Sequence, residues 1–236
     1  VIKYRRRASC FYCGNYGIPS NRSVIQAHVF LSDNTFLPSH TVQRPGSVQD
    51  LPGLTKSLGK GLIVHGSSFH RRPQFHLLKR NFGKRVSFFP CPGGEPSINH
   101  VRECIGTGKK KKARWIAGIG GGAVMDLAKA GAGLFHASND PEYYQAGNIL
   151  ESQGIPFIAV PTTAGSGAEA TVNAVIINED SLEKKSIRDS SFMARVIILD
   201  AQLLKNSPAE VIARSGLDAL TQAIESFFSK KASDFT

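Results

Sequence analysis

A cluster of glycines near the middle of the sequence has the residue types and the spacing of a phosphate cradle. Residues 115–130 read W-I-A-G-I-G-G-G-A-V-M-D-L-A-K-A. The apolar run at 115–117 is typical of a short buried strand, and after Ala123 apolar residues recur at helical spacing. Glycines let a ligand approach the backbone, and the N-terminus of the following helix directs free N–H groups at that ligand. The stretch therefore predicts a binding turn for a phosphate or diphosphate group.

The same stretch satisfies the spacing G-x-G-x-x-A through Gly118, Gly120 and Ala123. That dinucleotide-binding motif expects an acidic residue about twenty positions later, at the end of a second strand. The acid near that distance is Asp140, which lies in the turn sequence N-D-P. Two interpretations therefore stay open for this stretch by itself: a ligand cradle, and a tight strand–helix connection that binds nothing.

A second polar loop follows another apolar run. Residues 156–160 read P-F-I-A-V, and residues 161–171 read P-T-T-A-G-S-G-A-E-A-T. Open α/β sheets bind ligands beyond the carboxyl ends of their strands, so the hydroxyls of Thr162, Thr163 and Ser166 would form a second rim of the same site. The alternative is an ordinary Ser/Thr turn.

The elements that must position these loops follow from the order of the apolar patterns. Strands are predicted at 61–66, 86–89 and 115–117, with helices between them, one of which begins after Ser97. This alternation indicates a parallel sheet with helices on its faces. Further strands are predicted at 156–160, 172–177 and 196–199, and the last two are separated by a charged loop that contains Lys184, Lys185 and Arg188.

The pattern becomes purely helical near the C-terminal end. The sequence S-P-A-E at 207–210 predicts a capping box, and a break at Ser215 and Gly216 precedes a second helix. The residues expected on the inner face of that helix are Leu220, Thr221, Ile224 and Phe228. The predicted fold class is α/β: a Rossmann-like parallel-sheet domain at 41–206, followed by the beginning of a truncated all-helical domain at 207–236. Residues 1–40 are predicted to be a basic N-terminal extension without a fixed structure.

Composition narrows the class of protein. The chain has 236 residues, of which 41% are hydrophobic, enough for a buried core. No apolar run approaches the roughly 20 residues of a membrane-spanning helix, so a membrane protein is not expected. The four cysteines are too scattered for a disulfide framework, which predicts a reducing compartment and a cytoplasmic location. Residues 1–32 contain arginines but no acid, so an organelle transit peptide is the alternative.

The formal net charge of +11 raises nucleic-acid binding as a different class of function. The positive charge is concentrated in the acid-free N-terminus and in four consecutive lysines at 109–112. No aromatic residues interleave with the lysines, as single-strand binding would require. A solvated loop is therefore the favoured interpretation, and nucleic acid is not an expected partner.

Three separated motifs resemble the iron-containing (group III) alcohol dehydrogenases. They read G-I-G-G-G-A-V-M-D-L-A-K at 118–129, I-P-F-I-A-V-P-T-T-A-G-S-G-A-E-A-T at 155–171 and S-G-L-D-A-L-T-Q-A-I-E-S at 215–226. Weaker similarity extends from about residue 42 to residue 236. The resemblance implies a dinucleotide-binding α/β domain followed by a helical domain. It also implies hydride transfer between NAD or NADP and an alcohol, aldehyde or ketone.

The resemblance also implies roles for individual residues. The implied cofactor-binding residues are Gly121, Gly122, Ala123, Asp126, Thr162, Thr163, Ser166 and Lys185. The two glycines and Ala123 would hold the diphosphate with Asp126 in the same turn, the three hydroxyls would approach the diphosphate and the nicotinamide, and Lys185 would reach a ribose. Members that prefer NAD often carry an Asp where this chain has Gly66. His70, Arg71 and Arg72 lie nearby in the sequence, so we expect NADP to be accepted.

The metal ligands are where this sequence departs from the family. Asp218 matches the first ligand, but Gln222 stands where the family has a histidine. A neutral amide is a poorer ligand than imidazole for iron or zinc. The two further histidines of the family have no counterpart here, so the sequence does not favour metal binding, and we expect this chain by itself to be inactive.

Several alternatives remain open at this stage. Gln222 is a hint of a metal-independent reductase of the maleylacetate reductase type. Two alternatives are not enzymes: a non-catalytic dinucleotide-binding remnant, and a basic protein that binds nucleic acid. The expected partners are a small alcohol or carbonyl substrate and, as a candidate assembly, a second copy of the chain in a homodimer; a membrane is not expected.

Overall fold

A parallel sheet forms the centre of the computed structural model, which describes residues 40–205, 207–230 and 232. Within them, six strands form one sheet in the order β1-β8-β5-β4-β2-β3, and every pairing is parallel. The strands are β1 Thr41–Gln43, β2 Gly61–His65, β3 Val86–Pro90, β4 Ile116–Gly120, β5 Phe157–Pro161 and β8 Val196–Leu199. The predicted parallel α/β sheet is confirmed. The predicted extension and its transit peptide lie outside the described residues, apart from His40.

Helices pack on both faces of this sheet. Those that form the layers are α1 Leu51–Leu54, α2 Pro73–Phe82, α3 Ile98–Lys110 and α4 Gly122–Gly133. Helix α5, Pro141–Gln145, packs against α3, and α6, Ala209–Phe228, has no buried residue. Leu62 and Val64 of β2 belong to a core with α3 and α4, whereas Ile63 between them belongs to a core with α1 and α2. The strands are apolar throughout because both faces are covered. No described helix has both the length and the apolar character needed to cross a membrane.

The start of helix α3 is determined by a local hydrogen-bonding motif. The Ser97 side chain accepts a hydrogen bond from the His100 backbone N–H, and the Ser97 N–H donates to His100 Nδ1 at 3.1 Å. This reciprocal capping box fixes the start of the helix. The spacing predicts a face of Ile98, Val101 and Ile105; the first two are buried, Ile105 is partly buried, and Cys104 is buried beside them.

A surface hairpin replaces the predicted charged loop. Strand β6, Asn173–Asn178, pairs antiparallel with strand β7, Glu183–Arg188. The loop prediction was wrong because β7 is exposed at five of its six positions, and only Ile187 is buried. Backbone pairing with β6 stabilises β7, and an exposed charged strand has no apolar alternation that sequence reading could detect.

Helix α6 departs from the sequence prediction in three ways. It is one continuous helix through Ser215 and Gly216, so the predicted break was wrong. Pro208 is the N-cap and no side chain caps the helix, so the predicted capping box is not formed. The expected inner face is exposed, with Phe228 77% exposed, because no described residue packs on it. The helix itself forms because a long run without an interior proline favours it.

Candidate functional site

The glycine turn joins β4 to α4 at the carboxyl edge of the sheet. Strand β4 ends at Gly120, Gly121 is the N-cap, and α4 begins at Gly122. No side chain caps this helix. The first N–H groups of a helix lack partners within the helix and carry partial positive charge. The turn therefore presents backbone donors that suit an anionic group.

The second predicted loop lies against this turn. Pro161 pairs with Gly120 in the sheet, and the Thr162 N–H donates to the Gly120 carbonyl oxygen at 2.9 Å. A β-carbon added to Gly121 would lie 3.4 Å from Thr163 Oγ1, and one added to Gly122 would lie 3.1 Å from Ser166 Oγ. The hydroxyl groups thus face the space that the two glycines leave open, and the two loops form one site.

A cavity of about 210 Å³ opens beside these loops. It is lined by the carboxyl ends of β2, β4 and β5 and by the start of α6. The lining residues are Gly66, Ser67, Ser68, Phe69, Arg72, Ile119, Gly120, Gly121, Thr162, Thr163, Ser207, Pro208 and Val211. A crevice outside the carboxyl ends of parallel strands is the place where open α/β sheets bind ligands.

The predicted site residues divide into two groups. Gly121, Thr162 and Thr163 line the cavity, and Gly122, Ala123 and Ser166 adjoin them in the same two loops. Asp126 and Lys185 do not line the cavity. The structure therefore brings six of the eight predicted cofactor residues together around one opening.

Asp126 is buried on the side of α4 that faces the hairpin. Its carboxylate accepts a hydrogen bond from the Val175 backbone N–H on β6. Burial raises the pKa of Asp126 to about 6, and this effect outweighs the lowering by the nearby Lys129 ammonium. Its predicted place in the cofactor-binding turn stays a prediction.

Lys129 is a residue that sequence reasoning did not single out. Its side chain is 0% exposed, and Nζ donates to Ala168 O at 2.6 Å, to Thr171 Oγ1 at 2.8 Å and to Asn173 O at 2.8 Å. Burial lowers its pKa to about 8, partly offset by Asp126. The sequence does contain one signal for it, an Asp and a Lys three residues apart in an otherwise apolar helix. Charged residues are almost never fully buried unless they are paired, so this spacing indicates a buried Asp and Lys that accompany each other.

Lys185 lies on the exposed hairpin. Its Nζ forms a salt bridge with Glu183 at 2.6 Å, and both side chains are about half exposed. Its predicted contact with a cofactor ribose stays a prediction.

The end of β2 carries no acid. Gly66 lies directly after β2, and its N–H donates to Ile119 O at 3.1 Å. Of the three basic residues expected nearby, Arg72 lines the cavity and donates to the Leu203 carbonyl oxygen, whereas His70 and Arg71 are exposed and do not line it. No Asp or Glu occurs among the residues that line this cavity.

The predicted metal residues lie apart from any other ligand. Gln222 Nε2 donates to Asp218 Oδ1 at 2.9 Å on the exposed surface of α6. Among the residues described, no group of three or more His, Cys, Asp or Glu side chains could hold a metal ion. One carboxylate whose oxygen already accepts from an amide does not make a transition-metal site. The residues present do not fit the metal that the resemblance implies.

The lysine run occupies the opposite edge of the sheet. Residues 109 and 110 end α3, residues 111 and 112 form the turn before β4, and all four side chains are exposed. The strands begin at this edge, so the run is separated from the loops by the length of β4.

Comparisons with known proteins agree with this geometry. The family model described as iron-containing alcohol dehydrogenase matches residues 38–201. The chain is 35% identical over 205 residues to the probable alcohol dehydrogenase EutG of Escherichia coli K12, covering 85% of this chain and 52% of that protein. It is 32% identical over 212 residues to the NAD-dependent methanol dehydrogenase of Bacillus methanolicus, covering 86% and 55%.

A solved structure gives the same result. Sulfoacetaldehyde reductase from Bifidobacterium kashiwanohense, in complex with NAD+, superposes with a TM-score of 0.77 at 27% identity, covering 84% of this chain and 54% of that one. The chain spans about half the length of the curated relatives it matches. The family model covers more than half of the chain and includes both loops of the site. The chain therefore belongs to the iron-containing alcohol dehydrogenase family.

Proposed function

We propose that this chain binds NAD or NADP at the carboxyl edge of its sheet and forms the cofactor half of an oxidoreductase. The whole protein would transfer a hydride between the nicotinamide and the carbon of an alcohol, aldehyde or ketone. The observation that carries the proposal is the 3.1 Å and 3.4 Å approach of two hydroxyl oxygens to the positions that β-carbons would take at Gly122 and Gly121. A space bounded by helix N–H groups and hydroxyls suits a diphosphate.

Each part of the site has a distinct task in this proposal. The N-terminus of α4 stabilises the negative charge of the diphosphate through backbone N–H groups. Thr163 and Ser166 donate hydrogen bonds to its oxygens or to the neighbouring carboxamide. The bound nicotinamide supplies or accepts the hydride. Asp218 and Gln222 do not form a metal site, so no step is assigned to a metal here.

The names of the relatives support the substrate class. The methanol dehydrogenase and the sulfoacetaldehyde reductase have in common the interconversion of an alcohol and a carbonyl compound. We propose the same class of substrate for the whole protein to which this chain belongs.

The cofactor proposal is tested by titrating the chain with NADH and with NADPH and following nucleotide fluorescence and thermal stability. Binding stabilises the folded chain in proportion to the logarithm of ligand concentration above Kd. The Gly122→Ala substitution places a methyl group in the cradle, so we expect affinity to fall about tenfold or more, the range for losing hydrogen bonds to a charged group.

Gly106→Ala is the matched control, because a β-carbon at that exposed position of α3 meets nothing within 4 Å. It should bind the cofactor as the wild type does. Failure of both nucleotides to bind the wild type, or wild-type affinity in Gly122→Ala, would refute the proposal.

We further propose that NADPH is bound at least as tightly as NADH. The cavity wall at Gly66 has Arg72 and two serines but no carboxylate to repel a 2′-phosphate. Gly66→Asp has room for its side chain, since the nearest atom to a new β-carbon is Val124 Cγ2 at 3.7 Å. We expect it to weaken NADPH about tenfold or more relative to NADH, by charge repulsion and competition for the ribose.

Gly106→Asp changes the net charge equally at an exposed site and should leave the NADPH to NADH ratio unchanged. Equal ratios in Gly66→Asp and in the wild type would contradict the predicted selectivity while leaving the cofactor site itself intact.

A second candidate is a metal-independent reductase. It is favoured by Gln222, a neutral amide that donates to Asp218 Oδ1 and is a poorer ligand than imidazole for a transition metal. The purified chain should then retain no stoichiometric iron or zinc after equilibration with either ion, measured by elemental analysis. One equivalent of bound metal, lost in Asp218→Asn, would contradict this candidate.

A further inference from the structure

The buried ammonium of Lys129 connects helix α4 to the hydroxyl loop, defined here as residues 162–171. An ammonium group has three N–H donors, and Lys129 Nζ has three oxygen acceptors at 2.6 to 2.8 Å. Two of those acceptors belong to Ala168 and Thr171 at the far end of the loop, and the third is the Asn173 carbonyl at the start of β6. Every donor is therefore used, which accounts for a fully buried charge.

The near end of the hydroxyl loop is fixed separately. The Thr162 N–H donates to Gly120 O at 2.9 Å, directly after β5 pairs with β4. Residues 163–167 thus span two anchors, one on the sheet and one on Lys129. Thr163 and Ser166, whose hydroxyls face the glycine turn, lie between those anchors.

The Lys129 side chain extends from the same helix whose N-terminus forms the cradle. The N-terminus of α4 presents the glycine turn, and Lys129 lies in the third turn of that helix. The helix therefore fixes both sides of the opening: its backbone forms one side, and a side chain about two turns further on holds the other. Two carboxylates favour the charged form of this ammonium: Asp126, one turn before Lys129, and to a smaller extent Glu169 in the loop.

We propose that Lys129 is a positioning residue for cofactor binding: it holds the hydroxyl loop at the distance from the glycine turn that a dinucleotide requires, without lining the cavity itself. This inference rests on the proposed function for the identity of the ligand. The geometry of the loop can be tested without any ligand.

The competing account is that Lys129 only stabilises the fold. Removing one member of a buried charged pair is strongly destabilising, so Lys129→Met by itself does not separate the two accounts. The double variant Asp126→Asn with Lys129→Met removes both charges and keeps similar volumes, so it is expected to recover most of the thermal stability. It does not restore the three hydrogen bonds to the loop.

The test compares the wild type, the double variant and Thr171→Val, with Lys79→Met on the exposed face of α2 as the matched control. Amide hydrogen exchange of residues 163–167 is measured without ligand, and the Kd values for NADH and NADPH are measured by fluorescence. In the double variant we expect exchange to be about tenfold faster, as for a loop that has lost one anchor, and both Kd values to rise about tenfold or more. Thr171→Val, which removes one acceptor of three, should change both quantities in the same direction by less, and Lys79→Met should change neither.

Wild-type Kd values in the folded double variant would overturn the proposal, and so would unchanged exchange of residues 163–167. If the double variant does not fold, Thr171→Val decides by the same two measurements. If the wild type binds neither nucleotide, the proposed function fails, and the exchange experiment still establishes whether Lys129 positions the loop.

Discussion

Helices α4 and α6 are both predicted from apolar residues at helical spacing, but α4 is buried by the elements around it and α6 is exposed to solvent. Every residue of α4 from Val124 through Gly133 is buried, whereas α6 has no buried residue along Ala209–Phe228. Helix α4 lies between the sheet, α3 and β6 and contributes to the larger core. The contrast teaches that periodicity determines that a helix forms, while neighbouring elements determine what the helix buries.

The candidate site lies beside the N-terminal ends of these two helices. The N-terminus of α4 forms the cradle, and Ser207, Pro208 and Val211 at the start of α6 line the same cavity. The hydroxyl loop also approaches α6, because a β-carbon added to Gly165 would lie 2.8 Å from Ser215 Cβ. The wall formed by the glycine turn is thus held by a helix that is buried from Val124 onward. The opposite wall depends on contacts in the first two turns of α6.

Truncating one leucine in each helix tests this comparison, and it has the largest expected effect on the free energy of unfolding. Leu127 of α4 is 0% exposed and Leu220 of α6 is 56% exposed. Leu127→Ala should lower the free energy of unfolding by about 2–5 kcal/mol, through lost burial and a residual cavity. Leu220→Ala should change it by less than about 0.5 kcal/mol. Urea unfolding followed by circular dichroism measures both, and a similar loss in the two variants would break the comparison.

The pH dependence of stability sharpens the comparison further. The pKa of Asp126 is raised from 3.8 to about 6 in the folded state, so the folded chain binds this proton more tightly than the unfolded chain. The free energy of unfolding should therefore fall as pH rises from about 4 to about 6, by about 3 kcal/mol at most for this group. Asp126→Asn lacks the proton and should lose this component of the slope.

The measurement is the difference between the wild-type and Asp126→Asn unfolding free energies at each pH. Leu220→Ala serves as the control, since its small effect should be the same at every pH. A difference curve for Asp126→Asn that stays flat from pH 4 to pH 6 would mean that the carboxyl group is not buried as the structure has it.

The same glycine-to-alanine change should have opposite signs in the two helices. A β-carbon at Gly131 of α4 would lie 2.7 Å from Cys104 Sγ, so Gly131→Ala should destabilise by about 1–3 kcal/mol through overpacking. A β-carbon at Gly216 of α6 meets nothing within 4 Å, so Gly216→Ala should stabilise by up to about 1 kcal/mol through helix propensity. Thermal unfolding of the two variants, scanned side by side, gives the sign directly; a decrease in both would show that α6 is packed at Gly216.

Much of the fold was open to prediction from local patterns. Continuous apolar runs identified the strands of the sheet, and their alternation with helices implied parallel pairing. The glycine turn and the Thr-rich loop were both predicted at the carboxyl edge, and the bonding of Thr162 to Gly120 joins them there. Strand β7 was not predicted. Its side chains are exposed at five of six positions, so they show no apolar alternation, and the backbone pairing that forms the strand leaves no pattern in the sequence.

The sequence by itself determined most strands of the parallel sheet, their alternation with helices and the edge of the sheet at which the two loops meet, because these depend on residue periodicity and on the handedness of parallel connections. Only the tertiary structure decided that Asp126 turns inward, that Lys129 bonds to a loop 39 to 42 residues away along the chain, and that the apolar face of α6 is uncovered by the described residues. The physical reason is that a side chain's partners and its burial are set by elements distant in sequence, and local spacing carries no information about them.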